Sequence, residues 1–135
     1  MERPLPIISH LSEPFWQAAR KHNLVLQKCE NCGSYQWYPK AWCINCGSTR
    51  LDWEKVTGFG TIYSYTIIRH AKANPAFSQD VPYAIVVVVL DEGPRMYGRL
   101  LDYPIEKIEI GTRVKVVFED VTDSIALPQF TPIEK

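Results

Sequence analysis

Two short runs, Cys29-Glu30-Asn31-Cys32-Gly33 and Cys43-Ile44-Asn45-Cys46-Gly47, restrict what this chain can fold into more than anything else in it. A Cys-x-x-Cys pair places two thiolates on one tight turn, and two such pairs supply the four ligands of a tetrahedral ion. The glycine after each pair suits a knuckle that turns sharply with positive φ and points backbone N–H groups at sulfur. With Cys29, Cys32, Cys43 and Cys46 all used as ligands, no coordination position stays open, so the site reads as one structural zinc rather than a catalytic one. Iron accepts the same four-sulfur cage. Two disulfides are the other use of four cysteines, but these come as close pairs, and the start of the chain, MERPLPIISH, lacks the apolar core of a secretion signal.

A module this small buries too little surface to fold on its own, and metal affinity takes the place of the missing core. Leu24 to Lys28 reads as a strand entering the first knuckle and Tyr35 to Tyr38 as the strand leaving it, ended by Pro39. Ahead of them, Ser12-Glu13-Pro14 reads as a helix start, with Ser12 as cap and Pro14 in the first turn. The helix is expected over about Glu13 to Lys21, and it is too short to stand without docking on a neighbour.

Beyond Leu51 the sequence turns β-rich. Strands are expected at about Gly60 to Arg69, Tyr83 to Leu90, Arg95 to Leu101, Arg113 to Asp120 and Ile125 to Thr131. Tyr83 to Leu90 is apolar on both faces and belongs in the middle of a sheet, whereas Arg113 to Asp120 alternates like a strand with one wet face. Pro104 to Ile110 leaves room for a turn or two of helix. The fold class is therefore mainly β: an N-terminal helix and zinc ribbon over residues 1–50, then a five-stranded OB-fold barrel over residues 51–135.

Fifteen basic residues balance fifteen acidic ones, which gives no field to draw the chain onto a phosphate backbone or an anionic membrane. The longest apolar run, Ala84 to Leu90, is too short to span a bilayer. A cytoplasmic protein with neither membrane nor nucleic acid as partner is the expectation. His10, His22 and His70 are scattered without a nucleophile or carboxylate motif beside them, so the chain does not read as an enzyme. Trp37, Tyr38, Trp42 and Trp53 surround the ribbon, where they either form a docking surface or pack the ribbon on the barrel. The connection from Arg69 to Phe77 is too long for a tight turn, and its Arg69, His70, Lys72 and Phe77 are candidates for a ligand or partner.

The order of these features resembles a known family. The knuckles are followed by Gly58-Phe59-Gly60-Thr61-Ile62-Tyr63-Ser64-Tyr65-Thr66, then Pro75-Ala76-Phe77, Val81-Pro82-Tyr83, Leu90-Asp91-Glu92-Gly93-Pro94-Arg95 and Ile110-Gly111-Thr112-Arg113-Val114. Together they look like the acyl-CoA-associated OB-fold proteins with a rubredoxin-like zinc ribbon, catalogued as domain-of-unknown-function family 35. The resemblance implies a non-catalytic accessory subunit that holds a thiolase-like, synthase or hydratase enzyme acting on acyl-CoA, with direct contact to acyl-CoA as a further implication. The alternative from the residues alone is a nucleic-acid-binding module, since ribbons and OB barrels both serve that role.

Overall fold

Alternation of apolar and polar residues sets most of the architecture, and the computed structural model, which describes residues 5–6, 8–70, 76, 80–123 and 125–133, shows eight strands and one α-helix among them. Helix α1 is Glu13–Arg20, and strands β1 Val25–Cys29, β2 Tyr35–Gln36 and β3 Leu51–Lys55 form a three-stranded antiparallel sheet in the order β2-β1-β3. Strands β4 Phe59–Ile68, β5 Tyr83–Leu90, β6 Arg95–Arg99, β7 Arg113–Asp120 and β8 Ala126–Pro132 form a second sheet in the order β6-β5-β4-β7-β8. No described helix is long and apolar enough to cross a membrane.

The second sheet closes on itself. A parallel bridge joins Leu100 to Phe130, and the Leu101 N–H donates to the Phe130 carbonyl at 2.8 Å, so the end of β6 meets β8. A five-stranded barrel closed by one parallel contact between its third and fifth strands is the OB-fold expected from the sequence. A bulge between Ile62 and Ser64 bends β4, whose first part pairs with β7 and whose whole length follows β5. The linker before β7 holds a single 3-10 turn, Ile105–Lys107, with Ile108 buried behind it.

The β5 burial pattern follows its sequence: Ala84, Val86, Val88 and Leu90 are buried, and Ile85, Val87 and Val89 are half-buried on the outer face. The inner set meets Ile62, Met96, Leu100, Val114 and Phe130 in one core that continues into Phe15, Trp16, Ala19, Leu24 and Leu26 of the helix and ribbon. Helix α1 thus rests on both β1 and β8.

Two local expectations are corrected, the Ser12 cap and the length of the return strand. Ser12 does not cap α1 with its side chain; it sits in helical backbone conformation and its buried hydroxyl pairs with that of Ser9 at 3.0 Å. Strand β3, which lies beyond the expected division at residue 50, pairs along its whole length with β1, from Val25 opposite Lys55 to Cys29 opposite Leu51. The return strand after the first knuckle is only Tyr35–Gln36, because the chain then leaves the sheet toward Pro39.

Candidate metal centre

Each knuckle is built by the same backbone contacts. The Gly33 N–H donates to the Cys29 carbonyl at 2.9 Å, and the Cys29 N–H to the Ser34 carbonyl at 2.9 Å. In the second knuckle Gly47 donates to Cys43 at 2.9 Å, and Cys43 to Ser48 at 2.7 Å. Gly33 and Gly47 have φ of +78° and +81°, the left-handed conformation that side chains resist. Both turns therefore require the glycine that follows the second cysteine.

The two turns bring all four sulfurs within 4.8 Å of one another. Cys29 Sγ lies 3.6 Å from Cys46 Sγ, and Cys32 Sγ lies 3.7 Å from Cys43 Sγ. Four sulfurs at the usual zinc bond length sit about 3.8 Å apart along the edges of a tetrahedron, so these separations fit an ion and are far too long for disulfides. All four cysteines are free, Cys29 and Cys43 buried and Cys32 and Cys46 exposed. The donor set, its spacing and its closure fit one structural zinc, which would be held by these four thiolates alone.

A second layer of contacts crosses from one knuckle to the other. Asn31 Nδ2 donates to Cys46 Sγ at 3.6 Å, and Asn45 Nδ2 donates to Cys32 Sγ at 3.7 Å. Backbone donors add the Cys32 N–H to Cys29 Sγ at 3.5 Å and the Asn45 N–H to Cys43 Sγ at 3.4 Å. Ser34, through its side chain and backbone, and then Asn45 pull the Cys32 thiol down to about 5, and the Ser48 backbone with the Asn31 amide lowers Cys46. Donors aimed at sulfur favour the thiolate, which is the form that binds metal. The sequence reading overlooked Asn31, Asn45 and Ser34. Their signal is in the repeat, since both knuckles read Cys-x-Asn-Cys-Gly-Ser.

Between the knuckles the loop 37–44 is held by two buried glutamines. Gln27 Nε2 donates to the Lys40 carbonyl and its Oε1 accepts from the Lys40 N–H, each at 2.9 Å. Gln36 Nε2 donates to the Trp42 carbonyl at 3.1 Å, and Gln36 Oε1 accepts from the Ile44 N–H at 3.0 Å. The loop's own side chains then divide. Trp37 turns inward against Phe15, ring centroids 4.4 Å apart, while Tyr38, Trp42 and Ile44 are exposed at 51%, 54% and 65%. Trp53 is half-buried against the core.

The other candidates are elsewhere. Arg69 and His70 are exposed just past the end of β4, in the second sheet, and Lys72 and Phe77 lie outside the described residues. His22 Nε2 is 2.9 Å from Asp120 Oδ1 with its ring stacked on Phe118, which ties the end of α1 to β7.

Comparison with known proteins matches both parts of the chain. Residues 16–52 fit the model of the ChsH2 rubredoxin-like zinc ribbon domain, and residues 53–119 fit that of the ChsH2 C-terminal OB-fold domain. A probable enoyl-CoA hydratase alpha subunit of Thermomonospora curvata is 35% identical over 130 residues, 96% of this chain; the chain spans only 40% of that relative's length. A DUF35 domain-containing scaffold protein of Methanocaldococcus jannaschii is 31% identical over 121 residues, 84% of each chain. Among solved structures, a chain of the Ltp2-ChsH2(DUF35) aldolase superposes with a TM-score of 0.84 at 33% identity, over 95% of this chain and 98% of that one. With its four-cysteine ribbon, its closed barrel and relatives of matching length, the chain belongs to the DUF35 family of zinc-ribbon and OB-fold proteins.

Proposed function

We propose that this chain is a non-catalytic scaffold subunit that binds an enzyme acting on acyl-CoA, of thiolase-like, synthase or hydratase type. The observation that carries the reading is the loop 37–44: two buried glutamines fix its backbone, and it turns Tyr38, Trp42 and Ile44 outward. Large apolar side chains on a rigid frame lose little entropy on docking and make effective anchors. The relatives named as scaffold proteins and as subunits of a hydratase and an aldolase support a partner of this kind. Of the tryptophans singled out, this reading assigns Trp42 to the interface, while Trp37 packs inward on Phe15 and edge-on to Tyr38.

Contact with acyl-CoA itself is the finer reading, and it is assigned to the connection after β4, through Arg69, His70, Lys72 and Phe77. Their cations suit a phosphate and Phe77 an apolar or adenine group.

Affinity purification of the tagged chain from its native cells, followed by native mass spectrometry, tests the reading. Recovery of an acyl-CoA enzyme, lost with Trp42→Ala while zinc content and melting temperature hold, is the expected result. A chain recovered only as a free monomer would overturn it.

One observation favours a second reading. On the outer face of β4 to β6, Arg95 stacks over Tyr63 with its guanidinium carbon 4.2 Å from the ring centroid, and Tyr97 is widely exposed beside it. Aromatics interleaved with arginine suit stacked bases. A fluorescently labelled deoxythymidine oligonucleotide at low salt distinguishes the two: binding that weakens with added salt supports nucleic acid, and no binding dismisses it.

A further inference from the structure

We infer that the outward face of β6, centred on Arg95, is a docking site for one acidic side chain of a partner protein, carried between apolar residues. The site lies on the barrel and does not depend on what binds the loop 37–44.

Strand β6 presents two arginines on one face, because Arg95, Tyr97 and Arg99 alternate with Met96, which points into the core. Both guanidinium groups lie on tyrosine rings. The Arg99 guanidinium carbon is 4.0 Å from the Tyr83 ring centroid, and that of Arg95 is 4.2 Å from the Tyr63 ring centroid. A guanidinium stacked on a ring still has its N–H edge for a planar acceptor such as a carboxylate.

At Arg99 the chain supplies that acceptor itself. Asp80 Oδ2 accepts from Arg99 Nη2 at 3.1 Å, and the arginine side chain is only 15% exposed. At Arg95 the acceptor is missing. Among the described residues no carboxylate lies within ion-pair distance of this exposed arginine. Across the same row of the sheet, Arg95 faces Val89 and Val89 faces Thr61, whose hydroxyl accepts from Arg113 at 3.2 Å. Asp91, the carboxylate on that side, is spent on Arg113 at 2.7 and 2.9 Å. The completed stack at Arg99 is therefore a template for the open one, and what the Tyr63–Arg95 pair lacks is a carboxylate.

The surroundings decide what carries it. Tyr97 is 71% exposed and Tyr63 52%, over a floor of half-buried Val87 and Val89. Tyrosine and arginine over aliphatic side chains are the composition of a protein interface. One open cation also answers one negative charge. A nucleic-acid strand brings a phosphate with every nucleotide and needs a track of cations, whereas the next arginines along the strand and across the sheet are already neutralised by Asp80 and Asp91. The occupant is thus a single aspartate or glutamate whose apolar neighbours cover Tyr97 and Val87.

The test uses the full zinc-loaded chain and, as probe, a capped pentapeptide of serine, leucine, glutamate, leucine and serine. The expected result in NMR titration is a saturable shift of the Arg95 Nε–H signal together with the ring signals of Tyr63 and Tyr97. Affinity should fall about fivefold when glutamine replaces the glutamate, and by the same factor in Arg95→Gln, as for loss of one exposed ion pair. That variant should keep its zinc content and melting temperature, since Arg95 is exposed and makes no ion pair. The inference is overturned if the peptide leaves these signals in place at millimolar concentration or if the glutamine peptide binds equally well. It also fails if acetate alone reproduces the shifts at the same concentration, or if a deoxythymidine oligonucleotide moves the same signals at lower concentration than the peptide.

Discussion

Gln36 Nε2 donates to Gln27 Oε1 at 2.8 Å, joining two buried side chains that between them hold the backbone at Lys40, Trp42 and Ile44. Every polar atom of the pair is used, and the Gln27 oxygen accepts twice. Such a network fixes a loop as firmly as a strand would. Gln36→Leu removes one member and leaves the Ile44 N–H and the Trp42 carbonyl unpaired. A loss of about 1–3 kcal/mol is expected in chemical denaturation, with faster amide exchange at Ile44 than in the parent. Unchanged exchange there would show that the loop is held by other means.

The metal centre gives the largest expected effect. Cys32→Ser should abolish stoichiometric zinc in elemental analysis. Structural zinc contributes about 10–16 kcal/mol of apparent binding free energy, more than a small domain's net stability. The ribbon should therefore unfold, with loss of the near-ultraviolet signal of Trp37 and Trp53. A strong chelator on the parent chain should produce the same spectrum.

Asn45→Ala probes the crossing contacts rather than the ligands. The variant should still take up one zinc ion and fold, but compete less well against a chelator. A drop of about 10–100-fold in metal affinity is the usual effect of losing an outer contact. Equal retention would mean that the backbone donors suffice.

Arg113 clamps Asp91 with two hydrogen bonds, Nη1 to Oδ1 at 2.7 Å and Nη2 to Oδ2 at 2.9 Å, and the guanidinium holds that carboxyl below its ordinary range. A depressed pKa stabilises the fold at pH above the unfolded value of about 3.9, and the contribution is lost as pH falls through the folded value. Asp91→Asn should lower the melting temperature slightly at neutral pH, since the pair is half exposed and screened. Below about pH 4 the difference from the parent should shrink. A gap that persists there would assign the effect to packing.

Gly60 marks where the barrel strands approach too closely for a side chain. A Cβ there would lie 2.6 Å from the Val89 carbonyl oxygen and 3.2 Å from the Leu90 Cα, both backbone atoms of the neighbouring strand. Gly60→Ala should cost about 1–3 kcal/mol through forced separation of β4 and β5, visible as a lower melting temperature with zinc content unchanged.

The legible parts of the sequence were those where one local rule dominates. Tyr83–Leu90 and Arg113–Asp120 show the expected bounds because their side-chain alternation matches a barrel wall, and the cysteine turns were explicit in their spacing and glycines. Strand β3 gave no such signal: Leu51-Asp52-Trp53-Glu54-Lys55 is short, polar and largely exposed, and its partner β1 lies far back in the chain. Ser12 has the right chemistry for a cap, but Ser9 competes for its hydroxyl within the same turn. Gln27 and Gln36 read as ordinary strand polars, and only the folded loop shows that their amides are spent on backbone. Trp37 and Trp42 stand five positions apart with similar neighbours, so nothing local tells which is buried.

Helix α1 lies against β1, near the start of the chain, and also against β8, near its end. During synthesis, then, the knuckles can capture their ion while most of the barrel is still inside the ribosome. Until β8 emerges, the side of α1 that rests on it has nothing to cover it. A nascent chain stalled after β7 should therefore hold zinc and yet present a sticky helix to chaperones, which makes arrival of β8 the event that seals the molecule.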